Sequence, residues 1–563
     1  MTQGPTRAAR RSVLLAGVLA VALDAALPLH ASPHLTGAER LARAYDAILD
    51  GRVEQAREEL TASCAPAPAE ACQLLKVAAL WWQIQQDPEN RSLDGAFSSG
   101  IEAAIRATGT WTQREPKRAE AWFYLGAAYA VRIQWQALRG ERLAAARDGK
   151  RVKDALERSL ALDPGLNDAY FGIGLYHYYA DLAPTVLKFL RWLLLLPGGN
   201  RAEGLAEMLK TRESGELLRG EADYQLHLVY LWYENQPAKA LALLEGLRQR
   251  YLHNPVFLAR IAEVQRDDLH DQVAALSSFR TLETEARQRR LSFSDIAEVR
   301  ARLGMAEELD ALGETDRAIE LLREIADARP AAPYGALARA EFRLGQAYGR
   351  MGEGNAAAAA YAAAIAAAPP DDPFHIRTDA ADAARRRADP RAGEAYRLSL
   401  QGWRLLEKGA LDEAAAALAR SLEIRPDDPV THYRRGRLLQ ARRADSEALA
   451  EFAVTLRSRL QAPAPIVASA YLESGRLLEA RGDRAGAIEM YRAATRVPGA
   501  EPRTHEAATR SLARLQSSTE HASSLLPSFP RSLLPFFATV SCGLSCCAPP
   551  KGEVFLTFVS LCA

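Results

Sequence analysis

Residues 338–371 read ARAEFRLGQAYGRMGEGNAAAAAYAAAIAAAPPD and set the fold of this 563-residue chain. Small and large residues recur there at fixed places: Leu344 and Gly345 are followed by Tyr348, Gly352, Ala357, Tyr361, Ala364 and Pro369. Small residues at these offsets let two paired helices approach closely, whereas the large ones fill the gap between successive pairs. The spacing predicts a helix–turn–helix unit of about 34 residues.

These positions resemble the tetratricopeptide repeat, and the resemblance implies an architecture. One such unit cannot bury its apolar face alone, so units stack into a solenoid. We therefore expect an all-α fold, a right-handed superhelical solenoid of helix–turn–helix repeats. Solenoids of this family bind proteins or peptides on a concave face, so the resemblance also implies a non-enzymatic protein that needs no cofactor.

The same pattern continues towards the C-terminus. Residues 395–501 predict three further repeats, and residues 502–518 predict the polar capping helix that a solenoid needs at its end. Residues 372–393 are charged and contain Pro373 and Pro390, which predicts a linker with one short helix. The glycines and alanines that define the three repeats are Gly402, Gly409 and Ala414, then Gly436 and Ala448, then Gly475, Gly482 and Ala487.

The N-terminal part, residues 38–330, predicts a divergent array of similar helix pairs with insertions. Its clearest unit places Trp122, Leu125, Gly126 and Tyr129 at the repeat's spacing. About a dozen additional residues then follow, rich in arginine and alanine, and we expect them to lengthen the helices. We therefore expect a less regular superhelix in this half than in residues 338–501.

Residues 1–31 are typical of an export signal. Arg10 and Arg11 precede an apolar run from residue 13 to residue 23, and small residues end at a plausible cleavage point after Ala31. The alternative is a membrane anchor that is not cleaved, but the run is shorter than the roughly 20 residues that span a bilayer. We expect a periplasmic or secreted protein.

Cys64 and Cys72 lie close together in the sequence, on either side of a loop rich in proline and alanine. In an oxidising compartment such a pair is expected to form a disulfide. The alternative is two buried thiols on neighbouring helix ends.

The last 45 residues, 519–563, differ in composition from the rest of the chain. They are rich in Ser, Pro, Phe and Cys and contain few charges. We interpret them as a low-order tail, as would arise from a shifted reading frame. The alternative is a tail that associates with a membrane or is bridged through its cysteines.

Composition and motifs restrict the possible functions. The 71 basic and 70 acidic residues give a net charge of +1, which argues against a general nucleic-acid binder. No phosphate-binding glycine loop, G-x-S-x-G or H-E-x-x-H motif is present, so the sequence predicts neither an enzyme nor a metal site. His177 lies among three tyrosines, and we interpret it as a hydrogen-bonded side chain on a packed helix face.

The resemblance assigns groove residues on the first helix of each repeat. Position 9 of three successive repeats is Trp403, Arg437 and Arg476, and stacking is expected to bring these side chains into one row. An aromatic ring beside guanidinium groups suits a peptide partner, although a solvated face is the alternative. The Asn and Lys of the family's carboxylate clamp are unmatched. The remaining predicted groove residues are Arg339, Arg350, Tyr396, Tyr433, Gln440 and Glu479.

A second hypothesis concerns the insertion at residues 185–199. A basic amphipathic helix there would lie at a membrane surface, whereas the alternative is a buried helix. The sequence thus predicts an adaptor of the bacterial cell envelope that binds a protein or peptide, with a peripheral membrane or lipid-associated factor as the alternative. The possible membrane contacts are Leu187, Lys188, Phe189, Arg191 and Trp192.

Overall fold

The computed structural model describes residues 34–182, 199–386 and 388–523, with side chains to residue 517. The expectations for the export signal, for the insertion contacts at 187–192 and for tail residues 524–563 lie outside these residues. The described part contains 24 α-helices and no strand. The predicted all-α class is therefore confirmed.

The first twelve helices alternate with short turns over residues 38–287. They are α1 (Ala38–Leu49), α2 (Val53–Ser63), α3 (Ala69–Ile84), α4 (Asp94–Arg114), α5 (Ala119–Leu138), α6 (Arg142–Leu162), α7 (Ala169–Leu182), α8 (Arg201–Ser214), α9 (Arg219–Trp232), α10 (Pro237–Arg250), α11 (Pro255–Asp267) and α12 (Gln272–Arg287). The predicted lengthening is visible in α5 and α6, which have 20 and 21 residues.

The next twelve helices continue the same alternation to residue 523. They are α13 (Ser294–Ala311), α14 (Thr315–Ala328), α15 (Ala336–Arg350), α16 (Gly354–Ala367), α17 (Ile376–Arg385), α18 (Pro390–Glu407), α19 (Leu411–Ile424), α20 (Pro429–Ala441), α21 (Asp445–Arg457), α22 (Ala464–Ala480), α23 (Arg484–Ala494) and α24 (Pro502–Ser523). The capping helix thus extends five residues beyond its predicted end, and α18 already begins inside the predicted linker. No helix among the described residues is long and apolar enough to cross a membrane.

Consecutive helices pack against each other, and the first helix of a pair also contacts the first helix of the next pair. This neighbour-to-neighbour order, seen along α11–α13–α15–α18–α20–α22, is that of a solenoid. The short helix α17, in the linker, packs on α15 and α16 and buries Ile376 and Ala380.

One contact recurs inside the helix pairs. Gly436 on α20 lies against the ring of Phe452 on α21, where a Cβ atom would come within 2.5 Å of the ring. Gly475 meets the ring of Tyr491 in the same way, at 2.6 Å. Two further pairs have the same separation of 16 residues, so a small residue on one helix and a bulky one on the other set the spacing of each pair. These two further pairs are Gly345 with Tyr361 and Gly402 with Leu418.

The N-terminal helices lie against helices that follow about 200 residues later. The Asp50 carboxylate accepts a hydrogen bond from the His253 backbone N–H at 2.9 Å and lies 2.8 Å from its ring nitrogen Nδ1. The Asn254 side-chain amide donates to the Leu49 carbonyl at 2.7 Å. These bonds tie the end of α1 to the turn between α10 and α11.

An aromatic core lies beneath these bonds. The Trp82 ring of α3 lies 4.9 Å from Tyr224 on α9 and 5.8 Å from Phe257 on α11, centroid to centroid, and all three are buried. Thr36 adds a hydrogen bond to Glu120 on α5. Residues 34–87 therefore contact first helices α5, α9 and α11.

Cys64 and Cys72 are joined in a disulfide with a Cα–Cα distance of 6.0 Å. Cys64 follows the last residue of α2, and Cys72 lies in the first turn of α3. The bond therefore closes the short connection between α2 and α3.

Candidate partner-binding groove

The three C-terminal pairs present helices α18, α20 and α22 side by side. The starts of α18 and α20 are fixed by the same device, an aspartate cap followed by proline. Asp389 accepts from the Arg391 N–H at 3.0 Å, and Asp428 accepts from the Thr431 N–H at 2.8 Å. Aspartate satisfies a free N–H of the first turn and proline suits the first helical position, so the local sequence sets where these two helices begin.

The centre of the groove is formed by Trp403, Tyr433 and Arg437. The rings of Trp403 and Tyr433 lie 6.1 Å apart, so α18 and α20 touch through an aromatic pair. The Arg437 guanidinium donates to the Tyr433 hydroxyl at 3.3 Å. Trp403 and Arg437 are both half-buried. Among the described residues no carboxylate lies within ion-pair distance of Arg437, so this guanidinium has spare donors.

The next part of the row is held by a residue that the sequence did not single out. The buried Glu473 carboxylate accepts from the Gln440 amide at 2.9 Å and from Arg476 at 2.7 Å. Glu473 lies two residues before Gly475, outside the positions that the resemblance assigns to the groove. Only the stacking of α20 on α22 shows that it organises two predicted groove residues.

Two predicted groove residues instead hold junctions between helices. Glu479 accepts from Arg514 of the capping helix at 2.7 Å and from the Tyr491 hydroxyl at 2.8 Å. The Tyr396 hydroxyl lies 2.8 Å from that of Thr315, in the first turn of α14. Their polar atoms are therefore engaged within the chain.

Arg339 and Arg350 lie on α15, at the upstream end of the predicted row. The Arg339 guanidinium sits 5.1 Å above the Phe374 ring and 3.8 Å from Glu307. Arg350 forms an ion pair with Asp310 of α13. The predicted groove thus divides into an open part between Trp403 and Arg476, and flanking parts that are used for packing.

The repeated contact between a small residue and a bulky one, and the stacking of first helix on first helix, establish the fold type. The fold is an all-α, helical-repeat solenoid of the tetratricopeptide-like type. No protein-family model matches the chain, and no curated protein matches it.

Several solved repeat structures show a distant likeness to this array. The yeast Sti1 TPR2AB domain in complex with pHSP90 is 17% identical over 54% of this chain and 98% of its own, with a TM-score of 0.19. A tetratricopeptide repeat protein from Parabacteroides merdae is 15% identical over 53% of this chain and 98% of its own, with a TM-score of 0.25. A Rap protein complexed with competence and sporulation factor is 13% identical over 85% of this chain and 99% of its own, with a TM-score of 0.32.

One group in the repeat array has the composition of a metal-ligand set, although the sequence predicted none. His177 on α7 faces Glu203 and Glu207 on α8, with one ligand atom from each within 4.8 Å of the others. His177 Nδ1 is hydrogen-bonded to Glu207 at 2.8 Å. That bond already provides both side chains with a partner, as expected for a histidine on a packed helix face.

Proposed function

We propose that this protein is a non-enzymatic scaffold of the bacterial cell envelope, and that its three C-terminal repeats hold a carboxylate-bearing peptide segment of a partner protein. The observation that carries the proposal is Arg437, a half-buried guanidinium with spare donors between Trp403 and the Gln440–Glu473–Arg476 cluster. Most other groove arginines already face a carboxylate of this chain.

The chemistry of the pair Arg437 and Trp403 favours a carboxylate next to an apolar side chain. A guanidinium binds a carboxylate through two parallel N–H bonds, and charge-assisted bonds of this kind are stronger in a partly desolvated site. The half-buried Trp403 ring supplies apolar area beside it, and tryptophan and arginine often dominate binding energy. The partner group is therefore a chain end or an acidic side chain that follows a hydrophobic residue.

The location also separates the proposed site from the N-terminal segment. Residues 34–87 contact first helices α5, α9 and α11, whereas the proposed site lies on α18, α20 and α22.

The envelope location draws support from two features. The N-terminal sequence has the order of charged, apolar and small residues that export signals share. The disulfide between Cys64 and Cys72 suits an oxidising compartment. Cleavage after Ala31 is part of this proposal, and N-terminal sequencing of the protein from the envelope tests it.

Binding to an immobilised set of random peptides tests the groove. Each peptide is made in three forms. The first has a free C-terminal carboxylate, the second has a C-terminal amide, and the third has its acidic side chains replaced by the corresponding amides. The intact protein is expected to prefer the peptides with a carboxylate. Arg437→Gln should weaken binding about tenfold or more, because a charge-assisted bond contributes about 1.5–3 kcal/mol.

Arg492→Gln is the matched control, because Arg492 is exposed on α23 and outside the groove. It should bind as the parent does, and circular dichroism of both variants verifies folding. Equal binding by the parent and Arg437→Gln, or no preference for carboxylates, would contradict the proposal. Binding to anionic liposomes with no peptide binding would favour the membrane alternative.

A further inference from the structure

Helices α7 and α8 touch through two glycines. A Cβ atom on Gly174 of α7 would come within 2.6 Å of the Gly204 carbonyl oxygen of α8. A Cβ atom on Gly204 would come within 2.5 Å of the Gly174 carbonyl oxygen and 2.6 Å of the Tyr178 nitrogen. Tyr178 and Met208 are fully buried beside this contact. The two backbones therefore meet in the core, and side chains at the edge of the contact are held close together.

Three such side chains form a mixed set of one imidazole and two carboxylates. His177 lies three residues after the glycine of α7, and Glu203 and Glu207 lie one before and three after the glycine of α8. One ligand atom from each lies within 4.8 Å of the other two. The glutamates are four residues apart, so they share one face of α8 on successive turns. The glycine contact thus brings the histidine of one helix opposite both glutamates of the next.

The hydrogen bond between His177 and Glu207 has the length of a contact between two metal ligands. The His177 Nδ1 atom lies 2.8 Å from a Glu207 carboxylate oxygen. Two ligand atoms bound at right angles, each about 2.1 Å from one ion, are about 3 Å apart. A metal ion can therefore replace the hydrogen of this bond with little movement of either side chain. Glu203 is exposed, so its carboxylate is free to turn towards the same ion.

No basic side chain neutralises the two carboxylates. In the described part of the chain, neither Glu203 nor Glu207 forms an ion pair with a lysine or arginine, and His177 is the partner of Glu207. Lys210, on the same helix, instead places its ammonium group 3.5 Å from the centre of the Tyr170 ring. Like charges four residues apart on a helix repel each other. A cation bound between them would remove this repulsion.

The ligand types favour a divalent transition metal ion. Sites made only of oxygen ligands suit Ca²⁺ and Mg²⁺, and thiolates suit Cu⁺, whereas an imidazole nitrogen suits Zn²⁺ and its neighbours. Zn²⁺ also occurs in open sites with three protein ligands and a water in the fourth position. His177 and Glu207 are half-buried and Glu203 is exposed, so one side of the set faces solvent.

We propose that His177, Glu203 and Glu207 bind a divalent transition metal ion, with Zn²⁺ preferred and water in the remaining position. The ion links the second half of α7 to the first two turns of α8. These helices do not carry the proposed peptide groove, so the metal site is a separate property of the N-terminal half.

Isothermal titration calorimetry of the intact protein with Zn²⁺, Co²⁺ and Ca²⁺ tests the proposal. Bound metal is removed beforehand with a chelator, and thiols are blocked with iodoacetamide so that sulfur cannot bind the ions. Zn²⁺ and Co²⁺ should bind, and Ca²⁺ should bind at least tenfold more weakly than Zn²⁺, because it does not favour nitrogen ligands. Bound Co²⁺ should also show visible absorption bands that are stronger than those of the ion in water.

Glu203→Gln is the decisive variant, because this exposed side chain has no partner in the described part of the chain whose loss could unfold the protein. It should lose at least tenfold in Zn²⁺ affinity, since even a change next to a metal ligand costs about 10–100-fold. His177→Asn should lose as much and should also abolish the Co²⁺ bands. Glu213→Gln, an exposed glutamate on the same helix, is the matched control and should behave as the parent.

Thermal unfolding gives a second measurement. Zn²⁺ should raise the unfolding temperature of the parent and of Glu213→Gln, because an ion that binds only the folded chain stabilises it. The rise should be much smaller for Glu203→Gln. The proposal is overturned if the parent binds neither Zn²⁺ nor Co²⁺, if Ca²⁺ binds as tightly as Zn²⁺, or if either ligand variant binds Zn²⁺ like the parent. Because Arg437 is not involved, failure here leaves the groove proposal untouched.

Discussion

At the residue scale, the packing around a charged side chain decides whether its hydrogen-bonding atoms have partners within the chain. Glu473 and Glu308 are both buried on first helices, but the first has two donors within 2.9 Å and the second leaves Oε1 without one. The same contrast separates Arg350, paired with Asp310, from Arg437, which has no such partner among the described residues. Residue type alone does not distinguish the members of either pair.

Replacing Glu308 with glutamine should change how stability depends on pH. The pKa of Glu308 is raised from 4.5 to about 7, so the folded protein binds more protons than the unfolded chain between those values. The parent should therefore lose stability relative to Glu308→Gln as pH rises through this window. Between pH 4.5 and pH 8 the free energy of unfolding of the parent should fall by about 1–3 kcal/mol relative to that of the variant.

Urea unfolding of both proteins between pH 4 and pH 8 measures this difference. Glu320→Gln, which replaces an exposed glutamate on the neighbouring helix, should run parallel to the parent at every pH. A stability difference between the parent and Glu308→Gln that stays constant with pH would show that the carboxyl titrates normally.

At the element scale, the spacing between paired helices depends on one small residue facing one bulky residue. Gly345 of α15 lies against the Tyr361 ring of α16, and a Cβ atom there would overlap the ring. Gly349, one turn later on the same helix, would place a Cβ atom 3.9 Å from the Tyr361 hydroxyl, which is ordinary contact. The close packing of α16 therefore requires glycine at position 345 but not at position 349.

Alanine at these two positions should act in opposite directions. Gly345→Ala should destabilise the pair by about 1–3 kcal/mol, because the added methyl group pushes the helices apart. Gly349→Ala should stabilise it by up to about 1 kcal/mol, because alanine favours a helix more than glycine does. Hydrogen exchange of the α15 and α16 amides measures both, and equal effects would show that this contact does not set the spacing.

At the scale of the whole molecule, the chain contains two kinds of contact. The helices of the C-terminal repeats pack mainly on their neighbours in sequence, although Gly499 lies close to the His270 carbonyl. The N-terminal segment makes several contacts across about 200 residues, as between Asp50 and His253. Trp82 is central to the second kind, because its buried ring contacts both Tyr224 and Phe257. Contacts between residues far apart in the sequence make a region unfold as one cooperative unit.

Trp82→Ala should therefore loosen the N-terminal half selectively. Truncating a buried tryptophan costs about 3–5 kcal/mol, and hydrogen exchange should speed up in α1–α3, α9 and α11 together. Helices α20–α23 should keep their protection, because stability in a repeat array is passed only between neighbours. Trp403→Ala is the converse control, and a uniform loss along the chain in either variant would contradict this division.

The sequence predicted the repeat units because their signals are local. Gly345 with Tyr361, and the three equivalent pairs, lie at a fixed separation of 16 residues that can be seen in the sequence. Helix starts such as Asp389-Pro390 and Asp428-Pro429 are equally local, since a cap contacts the next turn only. The predicted linker extended to residue 393, beyond this start, because its charged composition outweighed that signal.

Local sequence is therefore sufficient for the all-α class, the repeat unit and the first-helix positions that face one side, since each depends on residues within about 34 positions of one another. Which of those positions are free became visible only in the folded array. Tyr396 and Glu479 have their polar atoms engaged across helix junctions, whereas Arg437 donates to Tyr433 and faces no carboxylate within ion-pair distance among the described residues. The physical reason is that a side chain's partners are set by the stacking of distant helices, and small changes of angle at each pair add up along the array.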